Sequence, residues 1–189
     1  PAHADGAKTW IELKFSGEDV SLSVKIHFPE QYGTSTKSIC KQAKENTSST
    51  KLGEKVDKVE VEQYEGVEVC TIESSGKLSE VLDKSGSSLG FSVTRDGDNI
   101  KVKGSGGSVA ASGASMQMRI TFDGGVVSSS GGEVDGNTFI ASGGSFEVVG
   151  KPGSGSNMLM FVLIGLVVVI GAGVAVFFVM RSKKQPQPQ

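Results

Sequence analysis

The stretch Met158–Met180, MLMFVLIGLVVVIGAGVAVFFVM, carries no charged residue. As a helix rising 1.5 Å per residue it is long enough to cross the hydrocarbon core of a bilayer. A soluble helix of about six turns keeps a polar face, and this run has none. It is expected to be a single transmembrane helix. Arg181, Lys183 and Lys184 follow it directly, whereas Asn157 and a Gly/Ser stretch precede it. The positive-inside rule then puts 181–189 in the cytoplasm and the large N-terminal region outside. The chain finishes in Lys and Gln, which argues against a cleaved lipid-anchor signal. Ala2-His3-Ala4 has the small-x-small form of a secretory cleavage site, so 1–7 reads as a signal remnant or N-terminal arm. The expected location is the plasma membrane, single-pass, with the C-terminus cytoplasmic.

Charge argues against nucleic acid as a partner. The chain has 19 Lys+Arg against 21 Asp+Glu, and without Arg181, Lys183 and Lys184 the balance is 16 against 21. A nucleic-acid binder needs a basic footprint. Cys40 and Cys70 are the two cysteines, both in the outside region. In an oxidising compartment they are expected to pair, the alternative being two separate buried thiols. A metal site would need more Cys or His at ligand spacing, and the histidines are only His3 and His27.

The region before the apolar run has the period of β-structure. In VSLSVKIHF, residues Val20, Leu22, Val24, Ile26 and Phe28 alternate with Ser21, Ser23, Lys25 and His27, giving a strand with one buried and one wet face. His27 falls on the wet face. WIELKF and the turn SGED complete a hairpin. A short helix is expected in TSTKSICKQAKEN, with Ile39, Cys40 and Ala43 at helical spacing, and a polar loop in ENTSSTKLGEK. KVEVEQY and VEVCTIE read as strands joined at Glu65-Gly66, and GKLSEVLDK as a turn or two of helix. Asp96-Gly97 marks a further hairpin. MQMRITF is a strand. The Gly/Ser-rich stretch 123–150 imitates a linker, but Val126, Val127, Val134, Phe139, Ile140, Phe146 and Val148 recur at strand intervals between glycine turns. The expected fold is α+β: a domain over 8–150, mostly antiparallel hairpins with two short helices, then a flexible linker over 151–157 and the span over 158–180.

Three stretches carry a family resemblance: YEGVEVCTIESSGKLSEVL, LGFSVTRDGDNIKVKGS and MRITFDGGVVSSSGGEVDGNTFIAS. Their succession of a Gly-Val strand, a short Leu-containing helix, an S-V-T-R-D-G-D hairpin and a further N-G-type hairpin resembles the LppM family of actinobacterial cell-envelope proteins. The resemblance covers roughly residues 8–150. It implies an outside α+β domain similar to lipid-binding folds, and it supplies no catalytic motif. Members are often N-terminal lipoproteins. The cysteine such lipidation needs does not stand near the N-terminus here.

No motif points to catalysis or to a cofactor. There is no G-x-S-x-G elbow. Gly104-Ser105-Gly106-Gly107 lacks the Lys-Ser/Thr of a phosphate loop. Glu60 and Glu62 alternate on the wet face of a strand, where solvation explains them. A non-enzymatic binding protein is expected, in one of two forms. The first is an accessory or assembly subunit of a larger actinobacterial membrane complex, a respiratory supercomplex being one host. It would contact other integral membrane proteins through the small residues Gly165, Gly171, Ala172 and Ala175. The second is an extracytoplasmic lipid- or glycolipid-binding protein, with Leu22, Val24, Ile26, Phe91, Val93, Phe122 and Phe139 lining an apolar cavity.

Overall fold

A computed structural model describes residues 6–30, 33–49, 56–84, 91–105, 115–141 and 143–154. The apolar run 158–180, with Gly165, Gly171, Ala172 and Ala175, lies outside the described residues. Among the described residues no helix is long and apolar enough to cross a membrane.

The alternating segments near the N-terminus pair as expected. Strands β1 (Lys8–Ser16) and β2 (Asp19–His27) are antiparallel, with Leu13 opposite Leu22 and Phe15 opposite Val20. That register gathers both apolar sides on one face. Helix α1 (Thr36–Ser49) follows Pro29. Ser35 caps it, its Oγ accepting from the Ser38 N–H at 3.1 Å. The Thr36 hydroxyl turns back to β2 and accepts from the Phe28 N–H at 3.0 Å. The helix continues through Glu45–Ser49, which the sequence suggested as loop. No Gly or Pro stops it there, and Lys41 and Glu45 sit one turn apart at 3.9 Å.

Strands β3 (Lys58–Tyr64) and β4 (Val67–Lys77) form a hairpin. Its loop residues Glu65 and Gly66 both have positive φ, 47° and 80°, as a type I′ turn requires. Helix α2 (Leu78–Lys84) starts directly where β4 ends. Strands β5 (Phe91–Asp96) and β6 (Asn99–Ser105) pair with Asp96 opposite Asn99. The loop is therefore Gly97-Asp98, one residue later than expected, because Gly97 accepts the positive φ of the first loop position. Strand β7 (Ser115–Phe122) precedes four short strands in the Gly/Ser-rich stretch: β8 (Val126–Ser130), β9 (Gly132–Asp135), β10 (Thr138–Ala141) and β11 (Ser145–Gly150).

The strands make two sheets, one ordered β3-β4-β2-β1-β7-β10-β9 and one ordered β5-β6-β11-β8. β1 and β7 pair in parallel, Lys8 opposite Ser115 and Phe15 opposite Phe122; the other described pairs are antiparallel. One continuous apolar cluster joins the inner face of the larger sheet to the smaller sheet and to both helices, through Cys40, Ala43 and Leu78. Cys40 and Cys70 form a disulfide that ties α1 to β4.

The C-terminal end of the domain is clamped. The Phe15 and Phe122 rings stack with centroids 5.2 Å apart and planes 12° from parallel. Gly150 lies so close to the Phe122 ring that a β-carbon there would overlap it. Lys151 donates its N–H to the Gly125 carbonyl at 2.9 Å, and the Lys151 carbonyl accepts from the Gly124 N–H at 2.9 Å. The Pro152 carbonyl accepts from the Gly17 N–H at 2.7 Å. Lys151–Gly153 thus belong to the domain, although their composition had placed them in the linker.

Replacing Gly150 by Ala should force Phe122 out of its stack and cost about 1–3 kcal/mol of stability, read from urea unfolding. Asp123, on the same turn, accepts a hydrogen bond from Ser16 and faces Lys14, and these hold its carboxyl below the usual value. A lowered folded-state pKa contributes stability above the ordinary range near 4 that is lost as pH falls through the folded value. Asp123→Asn should therefore lower Tm at pH 6, and the gap to wild type should close as pH falls below about 4.

Candidate functional site

The inner face of the seven-stranded sheet is apolar; the outer face is where its polar residues collect. The strand registers place them in rows. One row runs Arg119, Glu12, Ser23, Glu73 and Lys58 across β7, β1, β2, β4 and β3. The next runs Thr138, Thr121, Lys14, Ser21 and Ser75. All residues of both rows except Lys58 line a groove of about 480 Å³. That volume lies in the range of small-ligand sites. The groove crosses from β10 to β4, roughly 19 Å at ordinary strand spacing.

Its lining mixes donors and acceptors. Glu12, Glu73 and Asp57 are acids, Lys14 and Arg119 are bases, and the rest are mainly Ser and Thr hydroxyls. Several are already oriented: Ser75 donates to Asp57 at 2.7 Å, and the Thr121 and Thr138 hydroxyls are 2.8 Å apart. Among the described residues of this face, one buried polar atom has no protein partner, Nε of Arg119. An unmatched buried donor beside a groove marks a place where a ligand acceptor gains more than it would in water.

Glu12 is held from its far side. Lys25 Nζ lies 3.4 Å from Glu12 Oε2 and 3.1 Å from Ser23 Oγ. The Tyr64 hydroxyl donates to Glu12 Oε1 at 3.1 Å. The Tyr64 ring covers the Lys25 ammonium at 4.8 Å and meets the Trp10 ring edge-on at 5.3 Å. Lys25 is consequently only 8% exposed, although its place in the alternation suggested a solvated side chain. The aromatic pair supplies the cover, and the carboxylate supplies the counter-charge such burial demands. His27 is also half-buried rather than solvated, its Nδ1–H donating to the Glu68 carbonyl at 2.8 Å. Glu60 and Glu62 share Lys58, at 2.6 and 3.4 Å. The Thr71 hydroxyl donates to Glu62, and this bond, with the Lys58 charge, holds its carboxyl below the ordinary value.

The residues expected from the sequence to line an apolar cavity lie elsewhere. Leu22, Val24, Phe91, Val93, Phe122 and Phe139 belong to the buried cluster, and Ile26 packs against it. Among them only Leu22 borders the groove. Sequence reasoning missed Arg119, which no motif flags. The parallel pairing of β1 with β7 sets it opposite Glu12, joining distant parts of the chain. The period-two pattern Trp10-x-Glu12-x-Lys14 beside Ser21-x-Ser23-x-Lys25 was the available signal.

Burial, then the Glu12 charge and its hydrogen bond, push the Tyr64 phenol above its ordinary value. In a Tyr32→Phe background, where Tyr64 alone reports, ultraviolet titration should show ionisation above pH 10. Glu12→Gln should bring the midpoint back toward 10, because the repelling charge is gone.

Comparison with known proteins agrees with this architecture. The LppM domain model matches residues 8–140. The solution NMR structure of the folded domain of Mycobacterium tuberculosis LppM superposes with a TM-score of 0.54 at 12% identity, covering 79% of this chain and 92% of that one. At that identity the similarity speaks for the fold alone. No curated protein matches the chain. The family match spans well over half of the 189 residues, and the chain belongs to the LppM family.

Proposed function

We propose that this protein is a non-enzymatic, extracytoplasmic envelope protein that binds the sugar headgroup of a glycolipid in the groove on its outer sheet face. The observation that carries the reading is the groove lining: closely spaced hydroxyls, carboxylates and one arginine with an unmatched Nε–H. A sugar offers hydroxyls that both donate and accept, and such a surface satisfies both. The five charged groups there sum to one excess acid, which disfavours a phosphate-centred ligand. The apolar residues once expected to form a lipid cavity serve the core. That leaves the headgroup, rather than the acyl chains, as the part recognised.

The reading of the chain as a subunit of a larger membrane complex depends on Gly165, Gly171, Ala172 and Ala175. These lie outside the described residues, and no described feature adds to it.

Trp10 is the single tryptophan, two residues along β1 from Glu12, so its emission reports on the site. Full-length protein in detergent, titrated with a dihexosyl diacylglycerol, should show a saturable Trp10 change that diacylglycerol alone does not produce. Arg119→Ala should weaken the binding by about tenfold or more, the value of hydrogen bonds to a charged group. Equal responses to the two lipids would remove the proposal.

A further inference from the structure

The groove and the point where the chain leaves the domain have a fixed relation. β1 and β7 run in parallel and end together. The β1–β2 turn at Gly17, the β7–β8 turn at Gly124 and the β9–β10 turn at Gly136 therefore lie at one end of the domain. The β5–β6 turn joins them there, through the Arg95–Glu18 ion pair at 2.7 Å. The chain exits at the same end, because Lys151 and Pro152 are hydrogen-bonded to Gly124, Gly125 and Gly17. From Gly153 to Met158 the chain reaches at most about 17 Å. The β3–β4 turn lies at the opposite end, and the nine residues of β1 alone separate the two ends by about 30 Å.

We propose that the domain stands on its own membrane on the end formed by the β1–β2, β5–β6 and β7–β8 turns, with the groove within reach of headgroups in that same leaflet. The occupant of this end is the bilayer that carries residues 158–180, and the proposal rests on reading that run as a membrane span. The groove row of Lys14 and Thr121 lies within roughly 7 Å of this end, and the row of Glu12 and Arg119 within roughly 13 Å. Among the described residues this end has no basic patch to seek anionic lipid. Four of its acids pair with bases, Glu18 with Arg95, Asp19 with Lys77, Asp96 with Lys101 and Asp123 with Lys14, and Asp98 and Asp135 add further negative charge. The short tether, not charge, sets the orientation.

The test uses full-length protein reconstituted in phosphatidylcholine vesicles bearing an acceptor dye on the headgroups. A donor dye is placed on Asp98→Cys, in the β5–β6 turn, or on Gln63→Cys, beside the β3–β4 turn; both positions are exposed, and the native cysteines are bonded to each other. Energy transfer should be clearly stronger from 98 than from 63. Inserting a flexible stretch of about 20 residues after Ser154, with a reach of roughly 25 Å, should shrink the difference. Equal transfer from both positions, or stronger transfer from 63, in protein that floats with the vesicles overturns the orientation. Protein that does not float with the vesicles overturns the membrane-span reading, and the proposal with it.

Discussion

The parallel pairing of β1 with β7 is the contact on which the rest of the molecule depends. It joins the N-terminal hairpins to the C-terminal strands in one sheet. Closing so long a stretch of chain has an entropic cost that local hairpins avoid. The pairing is secured where the two strands end, by the stacked rings of Phe15 and Phe122 with Gly150 against them. The same pairing sets Arg119 beside Glu12 on the opposite face. One strand contact thus supplies both the core seam and the centre of the groove.

The two faces of the larger sheet divide the labour. The inner face buries its apolar side chains against the smaller sheet and both helices, and the disulfide holds α1 to that side. The outer face is mainly polar, with Trp10 and Val69 buried among its polar neighbours. It keeps its charges in water or pairs them, and it covers the buried ammonium of Lys25 with Tyr64 and Glu12. Strand alternation makes this possible, since each residue serves one face only. A polar groove on a rigid sheet is also better fixed than one built on loops.

Much of the fold was legible because it is local. The β1–β2 alternation, the Glu65-Gly66 turn and the short strands between glycines are set by neighbours in sequence. The Gly97-Asp98 loop was misplaced by one residue, because Asp-Gly fits two turn registers and only the pairing of Asp96 with Asn99 decides between them. The division into two sheets and the parallel pair were not readable, since periodicity reports faces and not partners. The same limit hid the groove. Lys25 looked solvated because its cover, Tyr64, comes from another hairpin, and Arg119 looked ordinary because Glu12 lies on a distant strand. Lys151–Gly153 resembled linker by composition, yet their backbone groups complete the turns at Gly17 and Gly124.

The central claim is that the outer-face groove, and not the apolar interior, receives the ligand. Photocrosslinking tests it most directly: full-length protein in vesicles containing a diacylglycerol glycolipid with a photoreactive group on its sugar, followed by peptide mapping. Adducts on β1, β2 and β7 around Glu12, Ser23 and Arg119, lost in Arg119→Ala, are the predicted result. Adducts confined to β5 and β6 or to residues 158–180, or a pattern unchanged by that substitution, would contradict it.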